Sequence, residues 1–389
     1  MADWRKVRLG EVCRFKYGVM PKKSDLASEG YPVYSGYRHV GFSPSYHYAD
    51  PEIIVVARGV GGTGDIKMTP PFCFLTNLSI AILLENAEVF KPFLFYRLSA
   101  TTLWELRTGS AQAQITIERL KDFEIEFPPL QTQKRIAGIL SAYDELIENS
   151  QQRIKILESM ARNLYREWFV HFRFPGHEKL PRVASLLGDI PQDWEVKRVV
   201  DAFEISGGGT PSRKEAEYWD GGIIQWFSPS DLTGAGTMFM DDSGDHITKL
   251  GLAKSSARLF PARSVMLTSR ATIGAIAINT HEACTNQGFI TCMPNESVPL
   301  HFLFHWLTEN VPTFQRMASG ATFKEISRGV FKTIEFLHPP TKLVRHFEDT
   351  VTPMAEQALS IQRQIQNLRK TRNLLLPRLL SGQINLKEN

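Results

Sequence analysis

The chain has 389 residues, 43% of them hydrophobic and 22% charged, and a formal net charge of +4 at pH 7. That length predicts two or three domains with ordinary globular cores, and so weak a positive balance permits nucleic-acid binding without arguing for it. No run of 18 apolar residues offers a membrane span, the start MADWRKVRLGE lacks a signal-peptide core, and the four scattered cysteines (Cys13, Cys73, Cys284, Cys292) form no C-x-x-C pair, so the expectation is a cytoplasmic protein without structural zinc or disulfides.

Residues 1–129 read as a first globular domain. Short β-branched strands such as EIIVVA (Glu52–Ala57) alternate with a short helical pattern (Phe90–Thr108) and loops rich in Gly, Ser, Thr and Pro. Within it, VVARGVGGTGD (Val55–Asp65) carries G-x-G-x-x-G at Gly59, Gly61 and Gly64. A dinucleotide loop of that form must open a helix whose N-terminus holds the pyrophosphate. The next stretch of chain, DIKMTPPFCFLTNLSIAILL, has two prolines and then an alternating β-branched run, which is the pattern of a strand. TPPF (Thr69–Phe72) approaches the N-P-P-Y type motif of amino-methyltransferases, but Thr stands where that chemistry needs an amide or carboxylate.

Residues 130–172 read as one long helix. Ile136, Leu140, Tyr143, Ile147, Ser150, Ile154, Leu157, Ala161, Leu164 and Trp168 advance in alternating steps of four and three, a heptad seam with a single polar member. The stretch from Phe172 to Trp194 is punctuated by Pro and Gly and reads as a connection, with the linker itself at 173–189.

Residues 190–339 form a second globular domain, and it repeats the first. Asp3-Trp4 with Arg8 matches Asp193-Trp194 with Arg198, and GVMPKK (Gly18–Lys23) matches GGTPSR (Gly208–Arg213). Arg58 with Gly62 matches Arg270 with Gly274, Thr76-Asn77 matches Thr285-Asn286, and FLFYRL (Phe93–Leu98) matches FLFHWL (Phe302–Leu307). Gly109, Ile115, Lys121, Glu124 and Pro128-Pro129 match Gly320, Ile326, Lys332, Glu335 and Pro339-Pro340 at one constant offset. A period near 200 residues is too long for a solenoid and means two related halves. The repeat also tests the glycine motif. In the second half the stretch is SRATIGAIAI (Ser269–Ile278), which keeps Arg270 and Gly274 but not the G-x-G-x-x-G, and TPPF has no counterpart. A strand-to-strand turn is therefore expected in place of a cofactor loop.

Residues 340–389 carry the second long helix. Its seam is Phe347, Val351, Met354, Ala358, Ile361, Ile365, Leu368, Arg372, Leu375 and Leu379, with Pro353 and Pro377 expected to kink it and Gly382 to cap it. Each helix of about 40 residues would reach roughly 60 Å and cannot bury its stripe alone. Antiparallel pairing of the two is the simplest closure; docking on each helix's own domain, or a homodimer, are the alternatives. The fold expected is thus α+β, with two similar globular domains, each followed by a long helix.

No nucleophile elbow, H-E-x-x-H, P-loop or nuclease carboxylate cluster is present, so no catalytic residue and no metal site is expected. Matched loops are the expected contact surface for DNA. In the first half these hold Lys22, Lys23, Tyr37, Arg38, Arg58, Lys67, Gln112 and Gln114. In the second they hold Thr210, Arg213, Lys214, Ser228, Asp231, Arg270, Thr322 and Lys324.

Three further stretches carry a family resemblance: MARNLYREWFVHFRFPG (Met160–Gly176), LGDIPQDWEVKRV (Leu187–Val199) and LRKTRNLLLPRLLSGQI (Leu368–Ile384). With the duplicated plan they resemble the specificity subunit of Type I restriction-modification systems over essentially the whole chain. The resemblance implies two target recognition domains, each reading one half of a bipartite, asymmetric sequence in double-stranded DNA. It implies that the antiparallel coiled coil sets the half-site spacing and docks two modification (adenine-methyltransferase) subunits, with restriction (translocase and endonuclease) subunits joining. By the same resemblance the chain is not an enzyme; S-adenosylmethionine belongs to the modification subunits, and ATP with magnesium to the restriction subunits. A coiled-coil scaffold without DNA readout, and a self-contained DNA methyltransferase, are the alternatives that the residues alone leave open.

Overall fold

A computed structural model describes residues 4–22, 26–36, 38–59, 62–109, 113–320 and 322–384. The chain divides into two compact units, one of residues 1–150 and 364–389, the other of residues 151–363.

In the first unit an antiparallel sheet runs in the order Cys13–Tyr17, Ser79–Leu84, Ile53–Val56, Ile66–Met68. Ile53–Val56 is an inner strand and is buried along its whole length. Its alternating side chains feed two cores. Ile53 and Val55 pack with Val7, Leu9 and Phe93, whereas Ile54 packs with Cys73, Leu75 and Ala81 on the opposite face. A three-stranded sheet (Arg38–Ser43, Tyr31–Ser35, Phe74–Leu75) and a short pair (Arg5–Arg8 with Glu124–Phe127) complete the unit.

The second unit repeats this plan. Its larger sheet runs Glu204–Gly207, Phe289–Met293, Val265–Thr268, Ile276–Asn279, with Phe239–Met240 added at the edge. Asp245–Ile247, Ile224–Phe227 and Ala283–Thr285 form the three-stranded sheet, and Glu195–Arg198 pairs with Glu335–His338. Val265 and Leu267 again face one core and Met266 another. Gly18 and Gly208 occupy matching positions, where an added Cβ would lie 2.2 Å from the Thr76 carbonyl and 2.1 Å from the Asn286 carbonyl. Only glycine permits so close an approach.

The glycine-rich stretch after Val56 leads into Ile66–Met68, the antiparallel neighbour of Ile53–Val56. It is a strand-to-strand turn, with Gly59 at φ 148° and Gly64 at φ 97°. Among the described residues no helix opens there; Gly61 lies outside them.

The two long helices span Leu130–Tyr165 and Thr341–Leu380, and each has one end in each unit. In the first unit Ile136 and Leu140 share a core with Leu375, Leu379 and Leu380. In the second, Ala161, Tyr165 and Trp168 share one with Phe347, Val351, Ala355 and Leu359. Early residues of each helix meet late residues of the other, so the pairing is antiparallel. Of the seam, Ile136, Leu140, Ile147, Trp168, Val351, Ile361 and Ile365 are buried, and Tyr143, Ile154, Leu157, Leu164, Leu368 and Leu375 are half-buried. Arg372, the charged seam residue, is answered locally. Its guanidinium meets Asp144, whose other carboxylate oxygen accepts the Tyr96 hydroxyl at 2.6 Å. The helix stays continuous through Pro353 and Pro377. Both rings are exposed, and each removes one backbone donor without forcing a break. Beyond Leu380, Gly382 turns left-handed at φ 72° beneath Trp4.

The stretch read as a linker, 173–189, contains regular structure. The first long helix widens into a π turn at Arg166–Val170, and a hairpin comes after it, Arg182–Ser185 with Gly188–Pro191. Its two loop residues, Leu186 and Leu187, carry none of the Asn-Gly or Asp-Gly chemistry that announces a tight hairpin. Phe174 stacks on Trp194 at 5.7 Å and anchors the segment. No helix among the described residues is long and apolar enough to cross a membrane.

Two histidines lie on the buried face of helix Leu300–Met317. His301 donates through Nδ1 to Glu348 at 2.8 Å, and Glu348 also accepts from the backbone N–H groups of His301 and Phe302. His305 is 2% exposed, stacks on Tyr165 at 5.7 Å, and finds no hydrogen-bond partner for either ring nitrogen among the described residues. Burial holds its pKa down to about 3, so the ring is neutral in the fold.

This packing sets two expected outcomes. Asp144→Ala strands both Arg372 and Tyr96, and urea unfolding should show a loss of about 1–3 kcal/mol, most of it recovered in Asp144→Leu/Arg372→Leu; an unchanged midpoint for the single variant would refute the pairing. An unfolded histidine titrates near pH 6.5, whereas His305 titrates near 3. Protons therefore bind the unfolded chain first, and stability is full above about pH 6.5 and falls as the pH drops toward 3. Between pH 7.5 and 5 the wild type should lose about 2 kcal/mol more than His305→Leu; parallel stability curves would exclude the effect.

Candidate nucleic-acid interface

The repeat places two equivalent recesses, one in each unit. In the first, strand Ile53–Val56 runs on to Ala57, whose carbonyl accepts from the Ile115 N–H at 2.8 Å. This contact lays Arg58 opposite Gln114 in an isolated antiparallel bridge, and Gln114 bridges Thr108 as well. Tyr17, Arg58, Asn77 and Gln114 help line a recess of about 160 Å³. In the second unit Ser269 accepts from the Ile326 N–H at 2.9 Å. Arg270 then lies opposite Glu325, and Glu325 bridges Ser319. That recess measures about 380 Å³ and is lined in part by Gly208, Gln287, Glu325, Ser327 and Arg328. Gln114 and Glu325, like Thr108 and Ser319, are related by the offset that links Ile115 to Ile326.

The two recesses differ in charge. Arg58 is exposed, and its guanidinium makes no hydrogen bond or ion pair among the described residues. Arg270 has an acidic neighbour, its Nε lying 3.7 Å from Glu325 Oε2. The backbone beside Arg270 is also constrained: Ala271 holds φ 61° and donates its N–H to the Lys324 carbonyl at 3.0 Å. A left-handed non-glycine residue stores strain of order 1 kcal/mol or more.

The other predicted contact residues fall into distinct settings. Lys22 and Arg38 are exposed, Arg38 at the start of strand Arg38–Ser43. Lys67 is exposed on the edge strand Ile66–Met68. Lys214, Thr322 and Lys324 are exposed as well. Lys23, Tyr37 and Gln112 lie outside the described residues. Thr210 donates to Gln287 at 2.6 Å. Arg213 lies 3.6 Å over the Trp219 ring and places Nη2 2.6 Å from Asp245 Oδ2.

Ser228 and Asp231 have a structural task. They form a capping box on helix Pro229–Ala235, in which Asp231 Oδ2 accepts from the Ser228 N–H and hydroxyl, both at 2.7 Å. Asp231 Oδ1 accepts from the Gly244 N–H at 3.0 Å. Ser, then Pro at the first helical position, then an acid three residues on is a helix-start signature legible in the sequence. Trp219, Trp226, Asp245 and Glu325 went unnoticed in the sequence, although the offset from Gln114 points directly at Glu325.

Among the described residues no group of three His, Cys, Asp or Glu side chains is placed to hold a metal. All four cysteines are buried and unpaired, and burial pushes the Cys13 and Cys284 thiols up to about 12. What the two recesses offer is exposed arginine, amide, hydroxyl and carboxylate groups on a fixed backbone, the donors and acceptors that read base edges or hold phosphate.

The chain matches the family described as Type I restriction modification DNA specificity domain over residues 1–159 and 191–344. Among curated proteins it is similar to the Type I restriction enzyme MjaIX specificity subunit of Methanocaldococcus jannaschii, with 33% identity over 180 residues, 44% of this chain and 41% of that protein. It is also similar to the HindI specificity subunit of Haemophilus influenzae, with 24% identity over 377 residues, 80% of this chain and 81% of that protein. Among solved structures, the S subunit of a Type I restriction-modification system from M. genitalium shares the fold with a TM-score of 0.67 at 19% identity, covering 97% of this chain and 96% of that one. Both copies of the repeated frame fall inside the matched family segments, and the chain therefore belongs to the Type I restriction-modification DNA specificity family, as a two-domain sequence-recognition subunit.

Proposed function

We propose that each domain reads one block of a bipartite, asymmetric sequence in double-stranded DNA, and that the antiparallel helices hold the two blocks at a fixed spacing. The observation that carries this is the duplicated backbone frame, which places Arg58 opposite Gln114 in one copy and Arg270 opposite Glu325 in the other. Two copies of a frame with different polar tips suit two half-sites of different sequence. Half-sites on one duplex must be met at fixed distance and rotation, and a paired helix supplies that rigidity where a flexible linker does not.

In this reading the contact groups of the first block are Lys22, Lys23, Tyr37, Arg38, Arg58, Lys67, Gln112 and Gln114. Those of the second are Thr210, Arg213, Lys214, Arg270, Thr322 and Lys324, with Ser228 and Asp231 acting through the helix that they cap. The helices and their flanks also dock two adenine-methyltransferase subunits, in keeping with the pseudo-two-fold repeat, and restriction subunits complete the assembly in the cytoplasm. The chain contributes recognition alone. S-adenosylmethionine acts in the methyltransferases, and ATP with magnesium in the restriction subunits.

The test is co-expression with a methyltransferase of a Type I system that assembles with this chain, in a host free of methylation, followed by mapping of N6-methyladenine. Two specified blocks around a constant unspecified gap are expected. Arg58→Ala should relax or weaken one block only; equal losses at both would refute the division of labour. Gln114→Glu gives the first recess the acid already present in the second. It should pair Arg58 and lower affinity for the first block about two- to fivefold, read by binding at low salt; an unchanged affinity would show that Arg58 does not meet DNA.

A further inference from the structure

Arg213 is held by two indoles and a carboxylate, and among the described residues only its Nη2 is hydrogen-bonded. The loop that carries it is pinned at its base by Gly208, where a Cβ would fall 2.1 Å from the carbonyls of Thr285 and Asn286. Ahead of Arg213 the backbone is tied down by two indole donors and one backbone bond. Trp226 Nε1 donates to the Gly209 carbonyl at 2.9 Å, Trp219 Nε1 donates to the Ser212 carbonyl at 3.0 Å, and Gly209 N–H donates to Thr285 at 2.9 Å.

The side chain is fixed as firmly. Its guanidinium lies 3.6 Å from the Trp219 ring centre and 5.0 Å from that of Trp226, and the two indoles meet edge to face at 5.1 Å. Nη2 pairs with Asp245 Oδ2 at 2.6 Å. Asp245 stands directly opposite Trp226 in the ladder between strands Asp245–Ile247 and Ile224–Phe227, so carboxylate and indole are placed by one register. Yet the Arg213 side chain remains 52% exposed. Of its three nitrogens only Nη2 has a hydrogen-bond partner among the described residues.

We propose that Arg213 reads a guanine in the block recognised by the second domain, with Trp219 and Asp245 as positioning residues. This rests on the DNA-reading function proposed above. A planar fork with an open edge matches O6 and N7 of guanine in the major groove. Stacking and the ion pair order the side chain beforehand, so little freedom is lost on binding. The carboxylate decides between base and backbone. Asp245 is itself 46% exposed and would repel a phosphate brought to the same edge, whereas a neutral base edge suffers no such repulsion. Arg270 has an acidic neighbour at 3.7 Å but no indole beneath it, so among the described residues the second domain's stacked, forked reader is Arg213.

The experiment uses the full chain assembled with its methyltransferase subunits and selects bound duplexes from a randomised library. The wild type is expected to select a guanine in the second block. Arg213→Lys keeps the charge but loses the fork and its planar stacking face. It should lower discrimination for guanine at that one position about 10- to 100-fold, leaving the first block and the salt dependence of binding unchanged. Asp245→Asn, which keeps the shape, should weaken the same discrimination and steepen the salt dependence, because phosphate is no longer repelled. Full guanine discrimination in Arg213→Lys, or in Arg213→Ala a uniform loss across all sequences with a salt slope shallower by about one, would overturn the proposal and leave the two-block function standing. A wild-type selection without any bipartite motif would overturn both.

Discussion

A helix of 36 or 40 residues with an apolar stripe along its length cannot bury that stripe by itself. The rest of this chain is organised by how the stripe is covered. The helices Leu130–Tyr165 and Thr341–Leu380 each begin in one compact unit and end in the other. Within each unit the start of one meets the end of its partner: Ile136 and Leu140 with Leu379 and Leu380, Tyr165 and Trp168 with Phe347 and Val351. Because chain separation alone would allow other partners, the seam has to be specific. Arg372 supplies part of that specificity. An arginine at a seam position is tolerable only where a carboxylate meets it, and Asp144, already held by Tyr96, does so.

The second constraint is the shared frame. Two domains built to one plan hold equivalent residues in equivalent places, as Gly18 and Gly208 show by the carbonyls that crowd them. At the recesses the divergence lies in the polar tips. Gln114 against Glu325 changes the charge of a recess without moving its backbone, since both residues keep the same two bridges. A frame of this kind separates folding from reading. Buried alternation such as Ile53, Ile54 and Val55 holds the sheet, and exposed side chains at the ends of its strands are left to vary.

Much of this was legible in the sequence, and the reasons are physical. The heptad steps named the seam because burial along a helix repeats every 3.5 residues. The repeat argued for a turn over a cofactor loop because the second half keeps Arg270 and Gly274 without the G-x-G-x-x-G. The hairpin within the connection after Phe172 was not legible because it turns on Leu186 and Leu187, which give no local turn signal. Pro353 and Pro377 suggested kinks, but an exposed proline costs one donor and need not interrupt the helix. Ser228 and Asp231 looked like base readers because a capping box and a reading loop use the same residue types. Trp219 and Asp245, which hold Arg213, could not be found at all, since they come from separate strands and turns that only the fold brings together.

The account stands or falls on the independence of the two domains and on the helices as the measure between them. The most direct test is to replace residues 190–339 with the equivalent domain of another member of the family and map N6-methyladenine in the assembled complex. The expected result is a new second block, an unchanged first block and an unchanged gap. A change in the first block, or a gap that alters while both long helices stay intact, would contradict it.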